Sequence, residues 1–176
     1  MTPATLSRRP AATEFAPYYA RYIDPVPDGD VVATLEAQLA ETLALLGGIP
    51  EARGAHRYAP DKWSIKEVVG HVSDSERIFA YRALRIARFD ETPLAGYDQD
   101  PYVAAGQFDA RAIADLAAEL AAVRRATLAL LRGLPGAAWD RRGTANGVGV
   151  SVRALAWIIA GHERHHVRLL RERYLG

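Results

Sequence analysis

Two histidines near the carboxyl end of the chain, His162 and His166, have a spacing that suits metal binding. Residues four positions apart on an α-helix lie on the same face, so the two imidazoles can point at one spot. A count of about 100° per residue puts that spot within an apolar stripe that we expect to face the protein interior. Buried imidazole nitrogens need partners, and a metal ion would be one. The stripe consists of Leu155, Ile158, Ile159, Leu169 and Leu170.

A third histidine, His71, lies on another predicted helix and would complete a recognised ligand set. Three neutral imidazoles at about 2.0–2.1 Å, with a fourth position open to water or substrate, form a known type of catalytic zinc site. His71 can join His162 and His166 if the two helices are neighbours. His56 falls in a predicted loop, and His165 is turned about 60–100° away from the pair. On spacing alone, a satisfied polar patch without a metal remains the alternative, because helices carry such pairs by accident.

The same segment matches His-Glu-x-x-His, the motif of zincin proteases, in which Glu163 would act as a general base. Two observations argue against a protease. Only ten residues follow His166, which leaves little room for the downstream ligand of zincins. The chain also lacks a strand-rich region that could bind a peptide as an added strand. We therefore expect Glu163, about 100° around the helix from His162, to lie on a solvated face or beside a ligand imidazole.

Four long helical patterns must position these residues. Apolar residues recur at helical spacing in each, and glycines and prolines separate them. The second opens on a capping box of Ser64 and Glu67, and the third is expected to start with Asp109 as its N-cap. We predict an all-α four-helix bundle with long inter-helix loops, with the site between facing helices. The patterns cover residues 30–46, 64–88, 109 to just before Pro135, and 151–174.

Three segments lie outside these patterns. Segment 89–108 is polar and aromatic, and it is longer than a tight helical hairpin needs, so we expect a long loop. Segment 140–150 contains Asn146-Gly147 between β-favouring stretches, which is typical of a small hairpin. Residues 1–28 are proline-rich and form an N-terminal extension. We expect the extension to pack as a short helix around residues 15–22 or to stay partly loose.

Length and composition fit one globular domain, which we place at residues 29–176. Apolar residues make up 49% of the chain, charged residues 24%, and the net charge is +1. Bulk charge therefore indicates neither a nucleic-acid nor a membrane partner. The chain has no cysteine, so a thiol used in a reaction must arrive with the substrate. No apolar run approaches the roughly 20 residues of a membrane span, and no signal peptide is recognisable, so we expect a cytoplasmic location.

Both histidine-containing segments carry longer motifs. Residues 63–71 read Trp-Ser-Ile-Lys-Glu-Val-Val-Gly-His, and residues 161–166 read Gly-His-Glu-Arg-His-His. These segments resemble the second-helix and last-helix signatures of the DinB/YfiT-like superfamily. Residues 97–100 and 144–147 resemble loops of its YfiT-like branch. The similarity spans roughly residues 30–175, with both histidine segments in the expected order.

The resemblance implies a four-helix bundle in which His71, His162 and His166 bind a divalent metal. Zinc suits three imidazoles best, and nickel, iron and manganese are compatible with the same ligands. The resemblance also implies a homodimer. Family members with known activity are metal-dependent transferases that use low-molecular-weight thiols such as bacillithiol, and others are described as metal-dependent hydrolases. Coordination would lower the pKa of such a thiol from about 8.5, so that the thiolate forms at neutral pH.

Three functions therefore stay open for the predicted site. The first is a thiol S-transferase that acts on a small electrophilic substrate. The second is a hydrolase in which the same metal activates water. The third is a non-catalytic, stress-induced metal-binding bundle. The ligand set alone does not separate them.

Two carboxylates near His71 are candidates for holding its second ring nitrogen, as partners of metal-bound imidazoles commonly do. Glu67 lies one helical turn before His71, and Asp74 lies three residues after it. Glu67 has a simpler alternative role as the acceptor of the capping box.

Five further residues are candidates for contact with a substrate or a ligand. Arg82 follows His71 by three turns and could hold the carboxylates of a thiol cosubstrate, or it could pair with a surface acid. Tyr97 and Asp98 lie in the long loop, where a substrate-gating role is expected. Asn146 is a candidate whose simpler role is to form the Asn-Gly turn. His165 adjoins the predicted ligand His166.

Overall fold

Four long helices form a bundle in the computed structural model, which describes residues 6–176. The predicted all-α four-helix bundle is confirmed. None of the helices in this described part is both long and apolar enough to cross a membrane. The helices are α1 (Ala20–Ile23), α2 (Val31–Gly47), α3 (Ile65–Ala87), α4 (Gln99–Gly106), α5 (Ile113–Arg132) and α6 (Val152–Leu169), and α6 continues in a π-helical turn over Leu170–Tyr174. Short 3-10 turns span Ala12–Glu14, Pro17–Tyr19, Glu51–Arg53, Phe108–Ala110 and Gly136–Asp140.

The order of the helices around the bundle places the histidine-bearing helices side by side. Helix α2 packs against α5 and α6, and helix α3 packs against the same two neighbours. Helices α3 and α6 therefore share an interface, as the convergence of the three histidines requires. The apolar residues of the four helices form two clusters of buried side chains that make up the core.

The starts of the helices follow from local hydrogen bonds, with one correction. The capping box at α3 is present, since the Ser64 hydroxyl accepts from the amide of Glu67 at 3.0 Å and the Glu67 carboxylate accepts from the amide of Ser64 at 2.8 Å. The prediction that Asp109 is the N-cap of the third long helix is wrong, because α5 begins at Ile113. The Asp109 carboxylate instead accepts from the Ser64 hydroxyl and from Arg57. Glu51, distant in sequence, accepts from the first amide of α5 at 2.9 Å.

The predicted hairpin is present and fixes the position of a loop. Strands β1 (Arg142–Ala145) and β2 (Val148–Ser151) pair antiparallel. Asn146 and Gly147 connect them with φ of 52° and 74°, the two positive φ angles of a type I′ turn. Leu94 adds to the outer edge of the hairpin, where its amide donates to the carbonyl of Thr144 at 2.9 Å. The segment that precedes Tyr97 is therefore held against the hairpin.

Segment 89–108, expected to be a loop, contains the short helix α4. Asp98 is its N-cap, and the Asp98 carboxylate accepts from the amide of Asp100 at 3.2 Å. Pro101 lies in the first turn, where a missing amide hydrogen leaves no helical hydrogen bond unmade. The N-cap and the proline were readable signals for this helix, although only eight residues follow Asp98 before it ends.

The described part of the N-terminal extension packs against α6. The short helix expected around residues 15–22 is present as the 3-10 turn Pro17–Tyr19 followed by α1. Glu14 is buried, and its carboxylate accepts from the Ser151 hydroxyl at 2.7 Å, at the start of α6. The boundary of the extension at residue 28 stays a prediction.

Candidate metal centre

His71 is held in a fixed position on α3. The capping box begins the helix two turns earlier, and the Trp63 ring packs against the imidazole with ring centroids 4.6 Å apart. The imidazole is buried, with 3% of its surface exposed. The Ser75 hydroxyl lies 3.5 Å from both ring nitrogens, which is too long for a hydrogen bond of ordinary strength. Within residues 6–176, the imidazole of His71 therefore has no strong hydrogen-bond partner other than the imidazole of His162.

His162 and His166 project from α6 toward His71. The helix is fixed at its start by Ser151, whose hydroxyl accepts from the amide of Ala154 at 2.9 Å. The Nε2 atoms of His71 and His162 lie 3.1 Å apart. The three ring centroids are separated by 4.6–4.9 Å, and one nitrogen from each ring lies within 4.8 Å of the others. The structure thus brings the three predicted ligands together in one cluster.

Burial keeps the three imidazoles neutral. It lowers the pKa of His71 to about 4, and it lowers the pKa values of His162 and His166 well below the usual value of 6.5. Repulsion from neighbouring imidazoles acts in the same direction: His165 lowers the pKa of all three, His71 that of His162, and both His71 and His162 that of His166. A neutral imidazole offers an unprotonated nitrogen, the form that binds a metal. The buried Nδ1 atom of His166 has no hydrogen-bond partner among the described residues, so at least one ring has no protein group that fixes its tautomer.

The cluster fits a divalent metal by its chemistry and its dimensions. Ligand nitrogens at about 2.0–2.1 Å from a tetrahedral ion lie roughly 3.3 Å apart, close to the 3.1 Å between His71 and His162. Without a metal, the facing nitrogens of His71 and His162 could share one hydrogen at 3.1 Å. The Nδ1 atom of His166 would still lack a hydrogen-bond partner among the described residues. Within residues 6–176 no aspartate or glutamate joins the cluster. Three protein ligands leave a coordination position open, as in catalytic rather than structural zinc sites.

A buried ion-pair network lies next to His162 on α6. Arg124, on α5, donates to both carboxylate oxygens of Glu76 at 2.8 and 2.7 Å, and its Nη1 lies 2.8 Å from Glu163. The Thr42 hydroxyl donates to the other oxygen of Glu163 at 2.7 Å. Arg124 also donates to the carbonyl of Leu35, so the network joins all four bundle helices. One guanidinium between two carboxylates leaves a negative charge uncompensated when both acids are ionised, which favours a cation nearby.

This network corrects one expectation for Glu163. The glutamate does not lie on a solvated face, because only 1% of its surface is exposed. Helix α6 is buried on several sides, so its polar face meets α2 and α5 rather than water. Thr42 donates to one carboxylate oxygen of Glu163, and the other oxygen lies 2.8 Å from Arg124 Nη1 as an ion pair without hydrogen-bond geometry. Glu163 is also not part of the cleft wall described below, so it is poorly placed for the base role of a zincin.

A cleft of about 390 Å³ opens beside the histidine cluster. His162 forms part of its wall, so the cluster faces a space of the size that small ligands occupy. Five of the eleven other wall residues are aromatic, and the N-terminal extension contributes three of these five. The wall consists of Ala16, Tyr18, Tyr19, Tyr22, Phe79, Arg82, Tyr97, Asp98, Gln99, Asn146, Val148 and His162.

Four residues named from the sequence as substrate candidates line this cleft: Arg82, Tyr97, Asp98 and Asn146. Tyr97 is connected to the cluster, since its hydroxyl lies 2.7 Å from that of Ser75, which adjoins His71. Burial raises the pKa of Tyr97, so its hydroxyl stays protonated at neutral pH. Three other candidates lie elsewhere.

Glu67 and Asp74 do not contact the histidine cluster, and His165 contacts it only by packing its ring edge-on against that of His166, with centroids 5.1 Å apart. The Glu67 carboxylate accepts hydrogen bonds from the Ser64 amide and from Arg57, and Asp74 forms an ion pair with Arg77 at 3.1 Å. His165 packs edge-on against the Tyr22 ring, with centroids 5.6 Å apart. The expectation that Glu67 or Asp74 holds the second nitrogen of His71 is therefore wrong in this geometry, because both side chains point toward arginines.

Sequence reasoning missed the tyrosines of the extension and the partners of Glu163. Tyr18, Tyr19 and Tyr22 carried a signal in their clustering, but nothing in the sequence says that the extension folds back over α6. Arg124 shares the helical stripe of Leu120, Val123 and Leu128, so a charged residue on an apolar face was the signal for a buried ion pair. Glu76 is buried on α3 in the same way.

Comparisons with known proteins agree with this architecture. The family model described as the DinB superfamily matches residues 34–170. No match was found among curated proteins. The solved structure of YfiT from Bacillus subtilis, described as a probable metal-dependent hydrolase with an unusual four-helix bundle topology, superposes with a TM-score of 0.67 at 18% identity, over 94% of this chain and 93% of that one. At this identity the likeness shows the shared fold. The family model, in contrast, matches residues 34–170, which is most of this chain, and this match shows that the chain belongs to the DinB superfamily.

Proposed function

We propose that this protein is a metal-dependent enzyme that transfers a low-molecular-weight thiol, of the bacillithiol type, to a small electrophilic substrate. The observation that supports it is the buried cluster of His71, His162 and His166 beside a cleft of about 390 Å³. A metal site inside a closed core would be structural. A site with an open coordination position at a cleft wall can meet a substrate.

The three imidazoles would hold the ion, and their low pKa values keep them unprotonated for that role. Zinc suits this donor set and a soft sulfur ligand, with nickel, iron and manganese as alternatives. When bound, the ion supplies Lewis acidity that lowers the pKa of a coordinated thiol or water. The Tyr22 ring covers one side of His162, with centroids 5.3 Å apart, and Tyr97 lines the cleft beside it.

The surroundings of the cluster favour a thiol over water as the nucleophile. A thiol with a pKa of about 8.5 needs little acidification at neutral pH, whereas water starts from about 15.7. A base that could activate water is not at hand in Glu163, the carboxylate nearest in sequence to His162. Glu163 contacts Arg124 and Thr42 and is not among the residues that line the cleft. Asp98 lines the cleft, but it caps α4. The chain itself has no cysteine, so the sulfur must come with a cosubstrate.

Hydrolysis is the second candidate, because YfiT, which shares the fold, is described as a probable metal-dependent hydrolase. The same three ligands would serve, with water in place of thiol. A homodimer, implied by the resemblance alone, remains a further proposal. A non-catalytic metal-binding bundle is the third reading of the same cluster.

The test measures turnover of metal-loaded protein with a chromogenic aryl halide and with a nitrophenyl ester, each with and without bacillithiol. We expect conversion of the halide that requires both metal and thiol. Conversion of the ester without thiol would indicate hydrolysis instead. A protein that binds metal at one ion per chain and converts neither compound would contradict both enzyme proposals and favour the non-catalytic bundle. His56→Ala, which removes an exposed histidine, is the matched control for His71→Ala.

A further inference from the structure

Arg82 differs from the other buried cationic side chains of the described residues. The buried cationic side chains, each less than a tenth exposed, are Lys66, Arg82, Arg124 and Arg153. Lys66 pairs with Glu51 at 2.6 Å, and Arg153 pairs with Asp140 at 2.6 Å. Arg124 lies between Glu76 and Glu163. Arg82 is 3% exposed, yet no carboxylate of residues 6–176 lies within ion-pairing distance of it.

The protein partners of Arg82 are neutral. Its Nη2 donates to the carbonyl of Ala95 at 2.7 Å, and its guanidinium lies 5.8 Å from the centre of the Phe79 ring. The guanidinium also lies near the Tyr19 hydroxyl, where it opposes the increase in the pKa of Tyr19 that burial causes. A guanidinium has five N–H donors, so these contacts leave donors available. A buried charge without a counter-ion is costly, and a bound anion would remove that cost.

The surroundings of Arg82 indicate which kind of ligand would supply this anion. The side chain forms part of the wall of the same cleft as His162, Phe79, Tyr22 and Tyr97. Phe79 packs edge-on against His162, with centroids 5.9 Å apart, so the same ring neighbours both the guanidinium and the cluster. Asp98 also lines the cleft, but its carboxylate is directed to the amide of Asp100. The cleft therefore combines aromatic walls with one unpaired cation.

We propose that the molecule bound in this cleft carries a carboxylate that Arg82 holds by paired hydrogen bonds, with its remaining part against the tyrosines and toward the histidine cluster. The planar guanidinium matches a carboxylate in two parallel hydrogen bonds, which sets the orientation as well as the affinity. The inference rests on the proposed function only in taking this cleft as the substrate site. The carboxylate can belong to the electrophile or to the thiol, and the experiment separates these sources.

Calorimetric titration of the full chain, metal-free and zinc-loaded, tests the proposal with three probes. Benzoate carries the carboxylate without a thiol, benzamide is its uncharged analogue, and mercaptosuccinate carries both groups. We expect benzoate to bind the metal-free protein and benzamide to bind at least about tenfold more weakly, because hydrogen bonds between charged groups contribute more than neutral ones. Mercaptosuccinate that binds the zinc-loaded protein no more tightly than benzoate does assigns the carboxylate to the electrophile. Mercaptosuccinate binding that needs both zinc and Arg82 assigns it to the thiol.

The variant Arg82→Gln keeps a donor for the carbonyl of Ala95 and removes the charge. We expect it to weaken carboxylate binding about tenfold to a hundredfold. Arg77→Gln, on the same helix but outside the cleft wall, should leave binding unchanged. Equal carboxylate affinity in wild type and Arg82→Gln, or equal affinity for benzoate and benzamide, would overturn the proposal. The benzamide comparison needs only the wild-type chain, so it decides the matter even if Arg82→Gln fails to fold.

The two proposals fail separately. Protein that binds zinc at the histidines but shows no Arg82-dependent carboxylate binding contradicts this inference alone. Protein that binds benzoate through Arg82 but takes up no metal contradicts the proposed function alone.

Discussion

The carbonyl oxygen of Tyr22 lies directly over Gly161, the residue before the predicted ligand His162. A Cβ atom at position 161 would come within 1.8 Å of that oxygen, so only glycine allows this approach. The contact lets the N-terminal extension pack directly on the backbone of α6. The Tyr22 ring then lies edge-on to His162, with centroids 5.3 Å apart, and forms one wall of the cleft. A single glycine therefore couples the extension to the metal centre.

Replacing this glycine should displace the extension. We expect Gly161→Ala to lower the free energy of unfolding by about 1–3 kcal/mol, the range for forced overpacking, because the obstacle is backbone and cannot rotate away. Urea unfolding measures the change, and proteolysis should cut the displaced extension faster. Gly149→Ala is the matched control, since a Cβ there meets nothing within 4 Å. Equal stability of the two variants would contradict the close packing of Tyr22 on α6.

Removing any one ligand should abolish tight metal binding. We expect one zinc ion per chain in the wild type and a ratio near zero in His71→Ala, His162→Ala and His166→Ala, measured by elemental analysis after dialysis. His56→Ala should keep its metal. Chelation should lower the melting temperature of the wild type, since free ligand at about a thousand times its Kd stabilises by about 4 kcal/mol. A full metal complement in His71→Ala would show that the ion binds elsewhere.

The metal-free protein should lose stability as the pH falls. The histidine pKa values are lowered in the folded state, His71 to about 4, whereas the unfolded chain takes up protons near pH 6.5. The unfolded state therefore binds more protons below pH 6.5, so the contribution of each histidine is complete above that pH. It declines by up to about 1.4 kcal/mol per pH unit below it, down to the folded pKa.

Urea unfolding of metal-free protein between pH 7.5 and pH 5 measures this dependence. The wild type should show a steeper decline than His71→Asn, and the difference between the two slopes isolates the contribution of His71. Parallel slopes would mean that His71 is not held neutral by burial.

The ion pair of Arg124 should be essential to stability. Arg124→Met leaves the carboxylates of Glu76 and Glu163 buried without a cation, and we expect a loss of about 3–5 kcal/mol in the free energy of unfolding. The neighbouring exposed Arg125→Met serves as the control and should change it by less than about 0.5 kcal/mol. Chemical denaturation of both variants gives the comparison. A small effect of Arg124→Met would indicate that water or a metal already compensates the two acids.

Local patterns in the sequence determined the four long helices except for the start of α5, the hairpin, and the position of His162 and His166 on one helix face. The reason is that helical periodicity, capping residues and an Asn-Gly turn act over a few neighbouring residues. Local patterns did not determine whether the third histidine, His71, lies beside this pair. His71 lies 91 positions from His162, and only the packing of α3 on α6 decides that their Nε2 atoms lie 3.1 Å apart. The resemblance to a family anticipated that convergence, which spacing alone left open.

The tertiary structure alone decided which charges are paired. The sequence places Glu163 and Arg82 on helices, but burial by neighbouring helices determines whether a charged group meets water, a counter-ion or neither. Glu163 meets Arg124 from α5, and Arg82 meets no carboxylate of the described residues. The cleft likewise exists because the extension folds back on Gly161. These are long-range contacts, so their energies depend on the whole fold rather than on the residues nearby in sequence.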